Sequence, residues 1–186
     1  MVFLSRIAPI KNLHLVIEAL RGIAGEITLR IAGPVDDANY WARCLKLMAT
    51  LGPNIQIDYS GPIAASEVGD FFGRHGLCFL PSANESFGFV ILEALLAGCP
   101  VLISDQTRWR DLQRKGIGWD VPLTRPDLMR AAIEHCIAMD ADAHRAMSTR
   151  AREFALDYVA RDDSARQNAA LFHSVLGEAR EILAVA

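Results

Sequence analysis

The sequence predicts an α/β domain: a Rossmann-like three-layer arrangement with a parallel sheet covered by helices on both faces. Two observations carry this. Strand-like apolar runs alternate with helix-like stretches at least five times, which is the pattern of a sheet built from successive crossovers. One run, 77–80 (LCFL), is apolar throughout, as a strand buried on both faces is. At 186 residues the chain suits a single domain, 1–186, with a sizeable core.

The elements follow in order. Val2–Leu4 is a buried strand, and a chain that opens mid-strand reads as a fragment of a longer protein. A loop, 5–12 (SRIAPIKN), leads into a helix over about 13–22, with Asn12 placed to cap it. Residues 26–32 (EITLRIA) form the second strand, ended by Gly33-Pro34. Asp36-Asp37-Ala38 start a helix to about residue 51, in which Trp41, Leu45 and Met48 recur at helical spacing and are assigned to the core. Pro53-Asn54 is a turn, 55–59 alternates as a third strand, and Gly61-Pro62-Ile63 follows. Ser66-Glu67-Val68 cap a short packing helix to about residue 74, before the fourth strand at 77–80. An apolar helical run, 90–97, is closed by Gly98, and Cys99-Pro100 separates it from a fifth strand at 101–103. A polar loop, 104–107, precedes a short helix beginning at Trp109-Arg110-Asp111-Leu112, then a turn and short strand over 116–121. Arg108 and Arg110 are read as surface residues, with phosphate or an acidic acceptor as the alternative. Helices over about 126–139, 141–154 and 164–184 complete the chain. They carry apolar stripes and solvated charges but no chemistry, and His135, His144 and His173 lack a partner spacing.

Composition excludes several functions. A formal net charge of −3 argues against nucleic acid as the main partner. No apolar run reaches the ~18 residues of a membrane span, and the start lacks a signal-peptide layout, so a cytoplasmic location is the simplest expectation. Cys44, Cys78, Cys99 and Cys136 are scattered without metal spacing. The first strand is followed by SRIAPIKN rather than a G-x-G-x-x-G dinucleotide fingerprint.

Residues 82–105, SANESFGFVILEALLAGCPVLISD, concentrate the chemistry. A glycine-bearing turn, Phe87-Gly88-Phe89, opens a helix, and a helix start of this kind offers free backbone N–H groups to an anion such as phosphate. Glu85 and Glu93, eight positions apart, would repel phosphate but suit the hydroxyls of a diol. Phosphate and diols together suggest a nucleotide-sugar. On spacing alone, an ordinary amphipathic helix with a solvated Glu85 and a rim Glu93 is the simpler reading. Arg6 and Lys11, beyond the first strand, could meet a diphosphate, Arg by its fork and Lys as a point charge. By themselves they are two surface cations.

Two glutamates flanking seven residues, with FGFV after the first and EALLAGCPV from the second, resemble the E-x7-E signature of retaining GT-B glycosyltransferases, closest to the family 4 group. The likeness extends over about 2–184, the C-terminal, donor-binding half of such enzymes. It implies a hexosyl transfer from a nucleotide-sugar with retention at the anomeric carbon, no cofactor and no obligatory metal. Arg6, Lys11 and Glu85 take the catalytic roles, the cations on the diphosphate and Glu85 on the transferred sugar. Glu93 takes the ribose diol. Gly33, Gly61, Ile63, Phe87, Gly88, Phe89 and Val90 join it in donor binding, Gly61 and Ile63 facing the base and Phe87 and Phe89 shaping the wall. Asn12 stands where the family commonly has Gly. The partners implied are the donor and a missing N-terminal domain. A final helix over about 164–186, with Leu171, Phe172, Val175 and Leu176, is expected to pack on that domain, through which any peripheral membrane contact would also run. The fragment alone is expected to be inactive in transfer. A noncatalytic nucleotide-sugar binding module and the half of a GT-B epimerase are the alternatives.

Overall fold

A computed structural model describes residues 1–161. The helix expected over 164–186, with His173 and its apolar face, lies outside the described residues.

Six parallel strands form one sheet in the order β3-β2-β1-β4-β5-β6, with β1 Val2–Leu4, β2 Ile27–Ala32, β3 Ile55–Tyr59, β4 Cys78–Leu80, β5 Val101–Ser104 and β6 Gly118–Val121. The central strands β1, β4 and β5 are buried at every residue, whereas the edge strand β3 alternates. This is the difference between a strand covered on both faces and one at a sheet margin. Helices α1 (Leu13–Leu20), α2 (Ala38–Met48) and α6 (Pro126–Ala138) pack together, as do α3 (Val68–Gly73), α4 (Phe89–Leu96) and α7 (Ala141–Arg161). The two groups clothe opposite faces of the sheet. A short α5 (Leu112–Lys115) leads into β6. The strand order reverses between β1 and β4, and in open α/β sheets the crevice at such a point, beyond the strand C-termini, is where ligands bind.

Three local expectations need correction. The buried residues of α2 are Tyr40 and Cys44, while Trp41 and Met48 are half-buried and Leu45 is 48% exposed. The Tyr40 hydroxyl takes the His14 amide at 3.1 Å, which satisfies its polar end and lets the ring enter the core. Asn12 occupies the N-cap position of α1 in the left-handed region, but its side chain makes no cap bond; it donates instead to the Pro81 carbonyl at 2.8 Å. The helix expected from Trp109 begins only at Leu112, because Trp109 is buried in the core ahead of it.

Among the described residues the four cysteines are free thiols, and no cluster of three His, Cys, Asp or Glu side chains could hold a metal ion. No described helix is long and apolar enough to cross a membrane.

Candidate functional site

The loop after β1 is tied to its neighbours on both sides. On the β2 side, Ile7 N donates to Pro34 O at 2.8 Å, and Asp36 and Asp37 N both donate to Ile7 O at 3.2 Å. On the β4 side, Ala83 N donates to Ile10 O at 2.8 Å, beside the Asn12 bond to Pro81 O. These bonds bring the ends of three strands together and so place residues distant in sequence side by side.

Gly33 shows how close the approach is. A Cβ there would lie 2.0 Å from the Ser5 carbonyl oxygen, at φ +128°, so only glycine fits. Its amide donates to Gly61 O at 2.8 Å, which draws the β3 loop in as well. The result is a cleft of about 340 Å³ lined by Arg6, Gly33, Ile63, Val90 and Glu93, among others. These residues come from loops after β1, β2 and β3 and from α4. Arg6 stands at the rim, 61% exposed, its guanidinium 2.5 Å from Asp36. Glu93 is exposed at the cleft wall, and partial desolvation there raises its carboxyl above its ordinary pKa.

Lys11 and Glu85 meet directly, Nζ to Oε1 at 2.5 Å, with side chains 13% and 11% exposed. Ser82 Oγ donates to the same Oε1 at 2.7 Å. Among the described residues Oε2 has no partner. Behind Ser82, the Ser104 hydroxyl donates to its carbonyl.

Gly88 is the N-cap of α4 at φ +78°. The amides of Phe89 and Val90, in the first turn, have no acceptor among the described residues, which leaves the donors an anion requires. Of the expected site residues, Lys11, Gly61, Glu85, Phe87, Gly88 and Phe89 are not among those lining the cleft. Phe87 packs against Trp109, whose Nε1 donates to the Phe87 carbonyl at 2.9 Å, and the Phe89 ring is 69% exposed. Arg108 lies with its guanidinium 5.0 Å over the Phe87 ring, and Arg110 is exposed.

Sequence reading missed Ser82, Ser104, Thr107 and Trp109. The available signal was Ser82 three positions before Glu85, a spacing at which a hydroxyl can reach a carboxylate across a turn.

The arrangement thus offers two cations, two carboxylates in unlike surroundings, and free amides at a helix start. Such a set can hold a diphosphate at one end and hydroxyls at the other.

Comparison with known proteins gives the family and the fold. The family model "Glycosyl transferases group 1" matches residues 1–154. The phosphatidyl-myo-inositol mannosyltransferase of Mycobacterium tuberculosis is 31% identical over 137 residues, covering 71% of this chain and 35% of that protein. The D-inositol 3-phosphate glycosyltransferase of Streptomyces bingchenggensis is 30% identical over 113 residues, covering 56% of this chain and 25% of that protein. The chain therefore spans about a third or less of these curated relatives. Among solved structures, a Rickettsia africae glycosyltransferase superposes with a TM-score of 0.77 at 18% identity, covering 94% of this chain and 48% of that one. Anabaena HepE, solved with UDP and glucose, gives 0.75 at 21% identity, covering 95% and 47%. At such identities the structural likeness bears on the fold alone, one Rossmann-like half of the GT-B architecture.

Proposed function

The chain belongs to the glycosyl transferases group 1 family, and on that premise we propose that it is the nucleotide-sugar-binding half of a retaining hexosyltransferase. The observation that carries the proposal is the convergence of Arg6, Gly33, Ile63, Val90 and Glu93 on one cleft at the reversal of strand order. Two similar proteins support the donor class: HepE was solved with UDP-glucose, and the mycobacterial relatives are named mannosyltransferases.

The chemistry follows from charge. Breaking the bond from the anomeric carbon to the diphosphate sends the electron pair to the diphosphate. Arg6, Lys11 and the amides that open α4 stabilise that charge most as it develops, and stabilisation specific to the transition state is what raises the rate. Removal of one such donor costs about 2.7–4 kcal/mol of barrier. Glu85 orients the transferred sugar through its hydroxyls, and Glu93 accepts the ribose diol. The acceptor hydroxyl oxygen takes the anomeric carbon on the face the diphosphate leaves and passes its proton to the departing diphosphate oxygen, which preserves the configuration. Cations and amides supply the countercharge, so transfer by the longer parent protein is expected to persist in excess chelator.

The test is calorimetric titration of this chain with uridine, guanosine and adenosine diphosphates and their glucose or mannose conjugates. One preferred base, with binding weakened by Glu93→Ala and Lys11→Ala, supports the reading. Absence of binding across the panel would sink it. The anomeric configuration of product formed by the parent, read by NMR, tests retention separately.

A further inference from the structure

Three serine and threonine side chains are buried among the described residues: Ser82, Ser104 and Thr107. All three serve the single turn that carries Glu85 and Phe87. Ser104 Oγ donates to the Ser82 carbonyl, and Ser82 Oγ donates to Glu85 Oε1 at 2.7 Å. Thr107 Oγ1 accepts the Trp109 amide at 3.2 Å, and Trp109 Nε1 holds the Phe87 carbonyl at 2.9 Å. A buried hydroxyl is tolerated only where it is paired. Here the pairing also runs outward, from the C-terminal ends of the central strands to the carboxylate.

We propose that Ser82 is a positioning residue for Glu85, and that it determines which carboxylate oxygen faces the transferred sugar. The inference rests on the nucleotide-sugar reading given above. Lys11 alone could not make this selection, because an ammonium is a compact point charge that pairs with either oxygen over a wide range of angles. The Ser82 hydroxyl is different. It stands fully buried just beyond β4, on a backbone whose carbonyl is held by Ser104 from β5. Its bond to Oε1 therefore fixes the carboxylate plane relative to the sheet. Oε2, without a partner among the described residues, is left as the acceptor for a sugar hydroxyl. Among the described residues the Ser82 hydroxyl bonds only to Glu85, so its loss should weaken the contact with the sugar and spare the contact with the diphosphate.

The experiment compares the bare diphosphates with their sugar conjugates by calorimetry, on wild type, Ser82→Ala, Ser82→Cys, Glu85→Ala and the Ser82→Ala/Glu85→Ala double variant. Wild type is expected to prefer one conjugate over its bare diphosphate. Ser82→Ala should weaken the conjugate about tenfold while the bare diphosphate stays within about twofold. Ser82→Cys keeps the shape but is a weak donor; it should fall between and carries the comparison if the alanine variant does not fold. In the Glu85→Ala background the serine change should alter neither ligand. Equal losses for both ligands, or an undiminished serine effect without Glu85, would show a purely structural serine and overturn the proposal. So would a wild type that binds the nucleotide without preferring its sugar, although that result leaves the nucleotide reading intact. A wild type that binds nothing in the panel overturns both.

Discussion

Lys11 and Glu85 are paired at 2.5 Å with little of either side chain in solvent, so a diphosphate bound as proposed would compete with Glu85 for the ammonium. Neutralising the carboxylate removes both the competitor and a repulsive charge. Glu85→Gln is therefore expected to bind the bare diphosphate about fivefold more tightly than wild type, while transfer by the parent falls; calorimetry and a transfer assay check the two halves. Glu93 makes a different case. Partial desolvation raises its pKa, so folding shifts it toward the protonated form relative to the unfolded chain. The stability this confers is fully present below the unfolded pKa and is lost as pH rises through the folded one. Glu93→Gln should accordingly melt above wild type at neutral pH, with the two curves converging in acid, in thermal unfolding followed by circular dichroism. The same variant should lose nucleotide affinity. Glu85, Glu93, Arg6 and Lys11 were singled out in the sequence by the resemblance to the E-x7-E signature, since by spacing alone each read as an ordinary surface charge; the structure sets Arg6 and Glu93 on one cleft and pairs Lys11 with Glu85. Ser82 and Ser104 were not singled out. Serine is common, and their contact joins positions 22 apart that meet only when β4 pairs with β5.

At the scale of the element, the loops after the strands are held by backbone approach, and the two glycines that allow it differ in what a side chain would meet. Gly33→Ala would drive a Cβ into a carbonyl oxygen of the neighbouring loop, and main chain cannot turn aside. A loss above ~2 kcal/mol is expected in denaturant unfolding, with weakened nucleotide binding as the Arg6 loop shifts. Gly88→Ala would meet the Ile91 side chain at 2.9 Å and Trp109 Nε1 at 3.2 Å. Side chains can give, so the loss there should stay near the left-handed cost of roughly 1–2 kcal/mol. Element positions were largely readable, since period and turn residues report them directly: Val2–Leu4 and Ile55–Tyr59 fall where the pattern puts them. The inward face of α2 was misread because Tyr40 counts as polar until His14 is seen beside its hydroxyl. The late start of α5 was hidden because nothing local says that Trp109 belongs to the core.

For the whole molecule, the alternation of elements sufficed to foretell a parallel sheet, but not the order β3-β2-β1-β4-β5-β6, which depends on crossovers between distant segments. The chain carries the proposed donor cleft at one end of its sheet and covers about half of the structures it superposes on. It is expected to bind the nucleotide-sugar and to transfer little, and efficient glycosylation of an acceptor by these 186 residues alone would contradict the assignment. The stitching of the strand ends has a consequence for synthesis. Lys11 and Glu85 lie 74 positions apart, and the serine that steadies them from behind arrives only with β5. A growing chain that has already exposed every proposed donor-contacting residue still lacks Ser104. Capture of nucleotide-sugar on the ribosome should then begin only after β5 has emerged and docked, so that the ligand rewards a sheet assembled on both sides of its centre and ignores the half-made one.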